Sequence, residues 1–223
     1  MMVNFDFLSE PITFSEDKIQ VVCIENKRLF RNIYTAFISG ELEKNNIVFS
    51  NGYIPFESKG NICAIYDYFF LSYSSSIIKK LYEQIENYCN AELLKETLEL
   101  KTYIVNYMES VVKAFDYDFD FNYEINLVDV FKIMNLTPAV DKAEVLNSLL
   151  DYMLIINKYA TPKCFVLMNL HLYFTNDEIE LFYRDVVDRR TCLLVIENIC
   201  NFEKSNYENI LIYDKDFCEI VEN

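Results

Sequence analysis

The sequence predicts an α/β protein in which a helical arm interrupts an α/β head. Strand and helix patterns alternate at the start of the chain, helical periodicity dominates residues 75–158, and the alternation returns after Pro162. Because both chain ends supply strand candidates, the simplest architecture inserts the helices between two parts of one head domain. The predicted head comprises residues 1–70 and 160–223, and the predicted leg comprises residues 71–159.

The first part of the head predicts strands around one helix. Residues 3–7 alternate apolar and polar side chains, as in a half-buried strand, whereas residues 19–25 form a nearly continuous apolar run, as in a strand buried on both faces. Apolar residues then recur at helical spacing up to Gly40, which is expected to end the helix. Further strand candidates are residues 11–14, 47–49 and 62–66.

The remaining elements follow the same two signals, periodicity and end-capping residues. Two helices are predicted over residues 77–89 and 100–115, a third starts with Asn126 as its cap, and a fourth covers residues 141–159. Thr175 to Glu178 form a capping box that opens a helix to about Arg190. Strands are predicted at residues 163–170 and 192–197, with a final hairpin at 209–213 and 217–221.

Composition restricts the class of protein. The 223 residues are 52% apolar and 25% charged, which is typical of a globular chain rather than a disordered one. Seven cysteines without a C-x-x-C pair, no leader before Val3 and no apolar run near 18 residues predict a reduced, cytoplasmic protein with no membrane segment. The net charge of −15 disfavours nucleic acid unless a local face or bound cations reverse it.

The strand–turn–helix unit at residues 19–37 has the layout of a phosphate-binding site without its glycines. The turn reads Glu25-Asn26-Lys27-Arg28, and neither G-x-x-x-x-G-K-[ST] nor G-x-G-x-x-G occurs anywhere. Asn169 occupies the position where the second conserved strand of a nucleotide hydrolase ends in an acid. Because ATP hydrolysis needs a phosphate cradle and a metal carboxylate, we interpret both segments as ordinary sheet strands. His171, the only histidine, is interpreted as a loop or supporting residue rather than a catalyst.

An acidic and aromatic stretch, FDYDFDFNYEIN at residues 115–126, alternates with period two. This pattern predicts an extended segment with aromatic side chains inward and acids outward. Carboxylates about 6.6 Å apart would repel by roughly 0.6 kcal/mol per pair in water, and a divalent cation would relieve this. The stretch is not an EF-hand, because Phe121 replaces its glycine and Leu127 its bidentate glutamate. A solvated strand face is the alternative.

Three quoted segments together resemble a known family. They are MMVNFDFLSEPITF, VVCIENKRLF and KCFVLMNLHLYFTNDEIELFYRDVVDRRTCLLVIEN. The first two carry a strand, a Leu-x-Glu-Pro-Ile turn, a strand ending in Glu-Asn and a Leu-Phe helix. The third carries a strand, a Phe-Thr-x-Asp-Glu helix and an apolar strand ending in Glu. This order resembles the small type II-A CRISPR spacer-acquisition family, Csn-two. The resemblance covers nearly the whole chain, although residues 75–115 match only in helical character.

The resemblance implies a non-catalytic homotetrameric ring that binds double-stranded DNA ends during spacer acquisition. It also implies a head related to P-loop ATPases without working nucleotide motifs, a helical leg, bound Ca²⁺, and partnership with the CRISPR integrase complex and the effector nuclease of the same system. The implied calcium ligands are Asp120, Asn122, Glu124 and Asp129, and the alternating acidic pattern adds Asp118. The basic residues assigned to DNA are Lys27, Arg28, Arg31, Lys79, Lys80 and Lys132, although any one basic cluster by itself is more typical of solvated surface than of a DNA contact.

Two other functions remain open from the sequence. One is an enzyme, either a degenerate nucleotide hydrolase or a metal-dependent nuclease that uses the acids at residues 116–129. The other is a protein-interaction scaffold without affinity for DNA.

Overall fold

The computed structural model describes residues 1–141 and 143–222, and over these residues the chain forms ten strands and six α-helices. The strands are β1 Met2–Phe5, β2 Ile12–Thr13, β3 Ile19–Ile24, β4 Ile47–Asn51, β5 Ile54–Pro55, β6 Ile62–Ile65, β7 Cys164–Met168, β8 Leu193–Glu197, β9 Glu208–Tyr213 and β10 Glu219–Glu222. The helices are α1 Lys27–Ser39, α2 Ser75–Ala91, α3 Leu94–Val112, α4 Leu127–Ile133, α5 Val145–Tyr159 and α6 Asn176–Asp188. The mixed α/β class is confirmed.

The larger sheet has six strands in the order β10-β9-β3-β8-β7-β6. Its neighbours are parallel except for β10, which pairs antiparallel with β9 in the predicted hairpin. Every residue of β3, β7 and β8 is buried, which explains why these strands read as continuous apolar runs. The sheet combines strands from both ends of the chain, as the sequence predicts.

A second, four-stranded sheet has the order β2-β1-β4-β5 and is antiparallel throughout. The sequence does not predict this separate sheet. In β1, Val3 and Phe5 are buried while Asn4 between them is exposed, so this strand covers a core with one face only. An antiparallel sheet with one solvent-exposed face accounts for this alternation, whereas a parallel sheet buried on both faces does not.

The two faces of the larger sheet carry different side chains. Val22, Val166 and Ile196 face a core that also contains Phe37 of α1 and Phe49 of β4. Because side chains alternate along a strand, the odd-numbered residues of β8 point to the opposite face of the sheet. This alternation places the last residue of β8, a glutamate, on the face away from α1.

Local end signals are confirmed in three helices. Gly40 caps α1 in the left-handed conformation with φ 68°, and the Asn126 side chain accepts a hydrogen bond from Val128 N at the start of α4. At α6 the Thr175 and Glu178 side chains form the reciprocal capping box. Each of these signals depends only on residues within one turn, which is why the sequence predicts them well.

The chain divides into two compact units. The first contains residues 1–71 and 140–223, and the second contains residues 72–139. The predicted leg extended to residue 159, but α5 belongs to the first unit, where it packs against α6. Its buried side chains, Leu149 and Met153 among them, give it an amphipathic pattern that does not reveal which element it covers.

The second unit consists of α2, α3 and α4. Tyr82 of α2 packs against Phe131 of α4 with ring centroids 5.7 Å apart, and Leu127 is buried beside them. Helix α3 exposes several large apolar side chains, including Tyr103, which is 72% exposed. In the part of the chain that the structure describes, no helix combines the length and the apolar character needed to cross a membrane.

Candidate functional site

The first predicted group of DNA-contacting cations lies at the start of α1. Lys27, Arg28 and Arg31 are all exposed, and they follow directly on the end of β3. The Asn26 side chain accepts hydrogen bonds from Arg28 N and Leu29 N, each 3.1 Å long. The side chain of Asn26 therefore occupies the backbone donors that bind phosphate in a glycine-rich turn, while the three cations remain available at the surface.

The other predicted cations belong to the second unit. Lys79 and Lys80 are exposed on α2, and Lys79 Nζ lies 3.9 Å from Glu83. Lys132 on α4 is also exposed, and its Nζ lies 2.8 Å from Asp129 Oδ1. One predicted DNA contact thus forms an ion pair with one predicted calcium ligand, so each neutralises the other's charge.

The acidic stretch lies between α3 and α4 and forms neither helix nor strand. The prediction that its aromatic side chains point inward is wrong, since Phe115, Tyr117 and Phe119 are 48%, 63% and 47% exposed. These rings contact one another instead, with centroids 5.1 to 5.7 Å apart. None of the strands at residues 1–141 and 143–222 pairs with the stretch, so no sheet imposes the two-sided environment that the alternation predicted.

The proposed calcium ligands do not converge in this conformation. Among residues 1–141 and 143–222, no group of three or more His, Cys, Asp or Glu side chains is arranged to hold a metal ion. The carboxylates of Asp118, Asp120 and Glu124 are exposed, and the Asn122 side chain accepts a 2.9 Å hydrogen bond from Glu124 N. With Asp129 paired to Lys132, the residues as arranged do not fit a calcium cage, which needs six to eight oxygens.

Two asparagines connect the carboxyl ends of β3, β7 and β8 through hydrogen bonds. Asn198 Nδ2 donates to the carbonyl of Ile24 over 3.0 Å, and Asn198 N donates to Asn169 Oδ1 over 3.1 Å. Asn169 adopts the left-handed conformation, with φ 56°. These contacts connect the ends of the three strands, and the Asn169 side chain accepts a hydrogen bond from backbone.

A buried ionic cluster of His171, Glu197 and Glu208 lies on the sheet face away from α1. His171 Nδ1 lies 2.8 Å from Glu197 Oε1, and His171 Nε2 makes a 2.9 Å ion-pair contact with Glu208 Oε1. The three side chains are 3%, 3% and 0% exposed. Since Glu197 pairs with Cys23 and Glu208 with Ile19, the two glutamates flank opposite ends of β3, and the imidazole spans the space between them.

This environment favours the charged imidazole. Burial is the largest single influence and lowers the pKa of His171. The hydrogen bond to Glu197, the contact of Nε2 with Glu208, which is close but lacks hydrogen-bond geometry, and the two negative charges outweigh it and raise the pKa to about 9. Both ring nitrogens face carboxylates, so neither can act as a base toward a nucleophile. The arrangement is therefore suited to stabilising the fold.

Sequence reasoning singled out His171 but missed both partners. The available signal was Glu197, an acid that ends an otherwise apolar strand and is almost completely buried. A buried acid requires a cation or hydrogen-bond donors, and the chain offers one histidine nearby in sequence. Glu208 has no comparable signal, because its place beside His171 depends on the register of β9 with β3.

Comparison with known proteins gives one family match. The family model described as CRISPR-associated protein (Cas_Csn2) matches residues 58–217, which is well over half of the chain. A search of curated proteins found no match. The matched region contains the whole second unit and the buried ionic cluster, whereas β3 and α1 precede it.

Proposed function

Because the chain belongs to the Cas_Csn2 family of CRISPR-associated proteins, we propose that it binds the ends of double-stranded DNA without cutting them, during the acquisition of new spacers. The family match carries this proposal. In this proposal the chain forms a homotetrameric ring, and its head is derived from P-loop ATPases. The ring acts together with the CRISPR integrase complex and the effector nuclease of the same system.

The exposed cations support a contact with the phosphate backbone rather than with bases. Lys27, Arg28 and Arg31 project from the first turns of α1, and the structure shows no carboxylate within salt-bridge distance of them among the described residues. Cations at a protein surface bind phosphates by charge and release counterions, and this interaction does not depend on sequence. Lys79, Lys80 and Lys132 extend the same proposal to the second unit.

Calcium dependence is proposed on grounds of charge alone. A subunit with net charge −15 repels DNA, and divalent cations would reduce that repulsion. Asp118, Asp120, Asn122, Glu124 and Asp129 do not converge as they stand, so calcium binding requires the stretch between α3 and α4 to close around the ion. The absence of helix and strand there leaves the backbone free of ladder bonds that would oppose this change.

The test is a binding titration of a fluorescent linear duplex over a series of salt concentrations, with Ca²⁺ and with a chelator. The variant K27E/R28E/R31E should weaken binding and reduce the slope of log K against log salt by about 0.9 for each phosphate contact that is lost. A matched control with the same charge change, K59E/K95E/K113E, replaces exposed lysines outside the proposed contact and should keep the slope.

Three further outcomes would separate the alternatives. If a relaxed circle of equal length binds as tightly as the linear duplex, binding at ends is wrong. Shortened products in Mg²⁺ or Mn²⁺ would identify a nuclease that uses the acids at residues 116–129. No binding to DNA at any salt concentration, with or without Ca²⁺, would leave the interaction scaffold as the function.

A further inference from the structure

The loop at residues 198–207 covers the buried ionic cluster. It connects β8 to β9 and contains no helix or strand. The Phe202 ring stacks on the His171 ring, with centroids 3.7 Å apart and an interplanar angle of 14°. Ser205 N donates to Glu208 Oε2 over 2.9 Å. The loop is therefore attached to the same imidazole and carboxylate that form the cluster.

Other contacts hold the edges of this loop. Ser205 Oγ bonds to Glu180 of α6, and Asn176 Nδ2 donates to Glu203 Oε2 over 3.3 Å. The Asn176–Glu203 contact is exposed, where hydrogen bonds compete with water and contribute little, whereas Ser205 and Glu180 are half-buried. Asn198, which bonds to Ile24 and Asn169, and Tyr207 O, which accepts from Ile19 N, fix the two ends of the loop. The contacts of Phe202 and Ser205 with the cluster hold its middle.

The charges around His171 are predominantly acidic. Glu197 and Glu208 contact it from β8 and β9, and the Tyr183 ring faces it from α6, 6.3 Å away between centroids. Burial raises the pKa of Tyr183, and that of Tyr68 near Glu197, well above its usual range, so both phenols stay neutral. The other ionisable groups that line a 210 Å³ cavity with His171 are Asp177 and Glu180 of α6 and Glu203 and Lys204 of the loop.

Loss of the imidazole proton would change the cluster from one net negative charge to two. Two carboxylates would then remain buried with no cation between them, and a buried charge left without its partner is strongly destabilising. The middle of the loop has no helix or strand to hold it, and its opening would let water reach the cluster. We propose that the proton on His171 holds the loop 198–207 closed over the sheet, and that removal of this proton opens the loop.

The proposal does not depend on DNA binding and can be tested with the full-length chain. Since His171 is the only histidine, histidine-selective ¹⁵N labelling gives one imidazole, whose titration can be followed without assignment. The midpoint is expected near pH 9 rather than near 6.5. A midpoint near 6.5 in the folded protein would overturn the proposal.

Loop opening is measured by hydrogen exchange of residues 198–207 at pH 7, with the central strand β3 as an internal reference. His171→Gln should accelerate exchange in the loop by at least tenfold and at most about 300-fold, the factor that corresponds to 2.5 pKa units. Exchange in β3 should change much less. Unchanged loop exchange in this variant would contradict the proposal.

A second substitution separates charge from packing. The double variant His171→Gln/Glu208→Gln returns the cluster to one negative charge, so its loop should exchange more slowly than that of the single variant. If His171 merely fills space, the second substitution would instead accelerate exchange further. Should His171→Gln fail to fold, the wild-type imidazole titration and the pH dependence of wild-type loop exchange, corrected with an unstructured peptide, still decide the question.

Discussion

The buried cluster predicts how the stability of the whole fold depends on pH. His171 has a pKa of about 9 in the folded chain and about 6.5 when unfolded, so the folded state binds its proton more tightly. The resulting stabilisation is complete below pH 6.5 and is lost as the pH rises through 9. A difference of 2.5 pKa units corresponds to about 3 kcal/mol, at 1.36 kcal/mol for each unit.

The assay is urea unfolding of the wild type and of His171→Gln at half-unit steps from pH 6 to pH 10. The variant lacks the titrating imidazole, so subtraction removes the shared contributions of tyrosines, lysines and the chain termini. The difference in free energy of unfolding should shrink by about 3 kcal/mol from pH 6.5 to pH 9.5. Because the chain has two compact units, two probes must report the same transition before the free energies are compared.

A difference curve that stays flat or rises with pH would refute the reasoning. A flat curve would mean that the glutamates do not favour the charged imidazole over its hydrated, unfolded form. A rising curve would mean that burial dominates and that His171 is neutral in the folded protein.

Three substitutions test other contacts by urea unfolding. Tyr68→Phe removes the buried hydroxyl that donates to Met168 O over 2.8 Å and should cost about 1 kcal/mol. Asn169→Ala removes the acceptor for Asn198 N and a side chain that tolerates φ 56°, and should cost about 2 kcal/mol. Leu149 is fully buried in α5, so Leu149→Ala should lower the free energy of unfolding by about 3 kcal/mol. Leu154 is 39% exposed in the same helix, so the control Leu154→Ala should lower it by under about 1 kcal/mol.

Each of these expectations has a contrary result. Equal costs for the two leucine substitutions would mean that α5 does not pack as described. An Asn169→Ala variant as stable as the wild type would show that the link between the ends of β7 and β8 carries no energy. A Tyr68→Phe variant that gains stability would indicate that its hydroxyl is poorly paired.

The parts of the fold that the sequence predicts depend on local or strongly periodic signals. The apolar run at residues 19–25 specifies a strand buried on both faces, and the Thr175–Glu178 capping box specifies the start of α6. Membership of the second sheet was missed, because alternation in β1 shows one buried face without showing which strands pair with it. The assignment of α5 failed for the same reason, since periodicity identifies the buried side of a helix but not its neighbour.

The candidate site was predicted less well, for reasons that differ from residue to residue. The exposure of Lys27 and Arg28 follows from their place on the polar side of α1. Asp129 was assigned to calcium, but its neighbour three residues along the helix, Lys132, pairs with it, and this spacing was visible in the sequence. The link between His171 and Glu208 depends on a parallel register formed by distant strands, which no local pattern encodes.

The position of β3 between β8 and β9 has a consequence for synthesis on the ribosome. The strand ends at Ile24, and β8 begins only at Leu193. At a translation rate of about 5–20 residues per second, roughly 10–30 s pass between the synthesis of β3 and that of its neighbours in the sheet. The helices of residues 72–139 rely on contacts within their own stretch and emerge in the meantime. Nascent chains arrested before Leu193 should therefore leave the hydrophobic β3 open to chaperones while the helical unit is already formed.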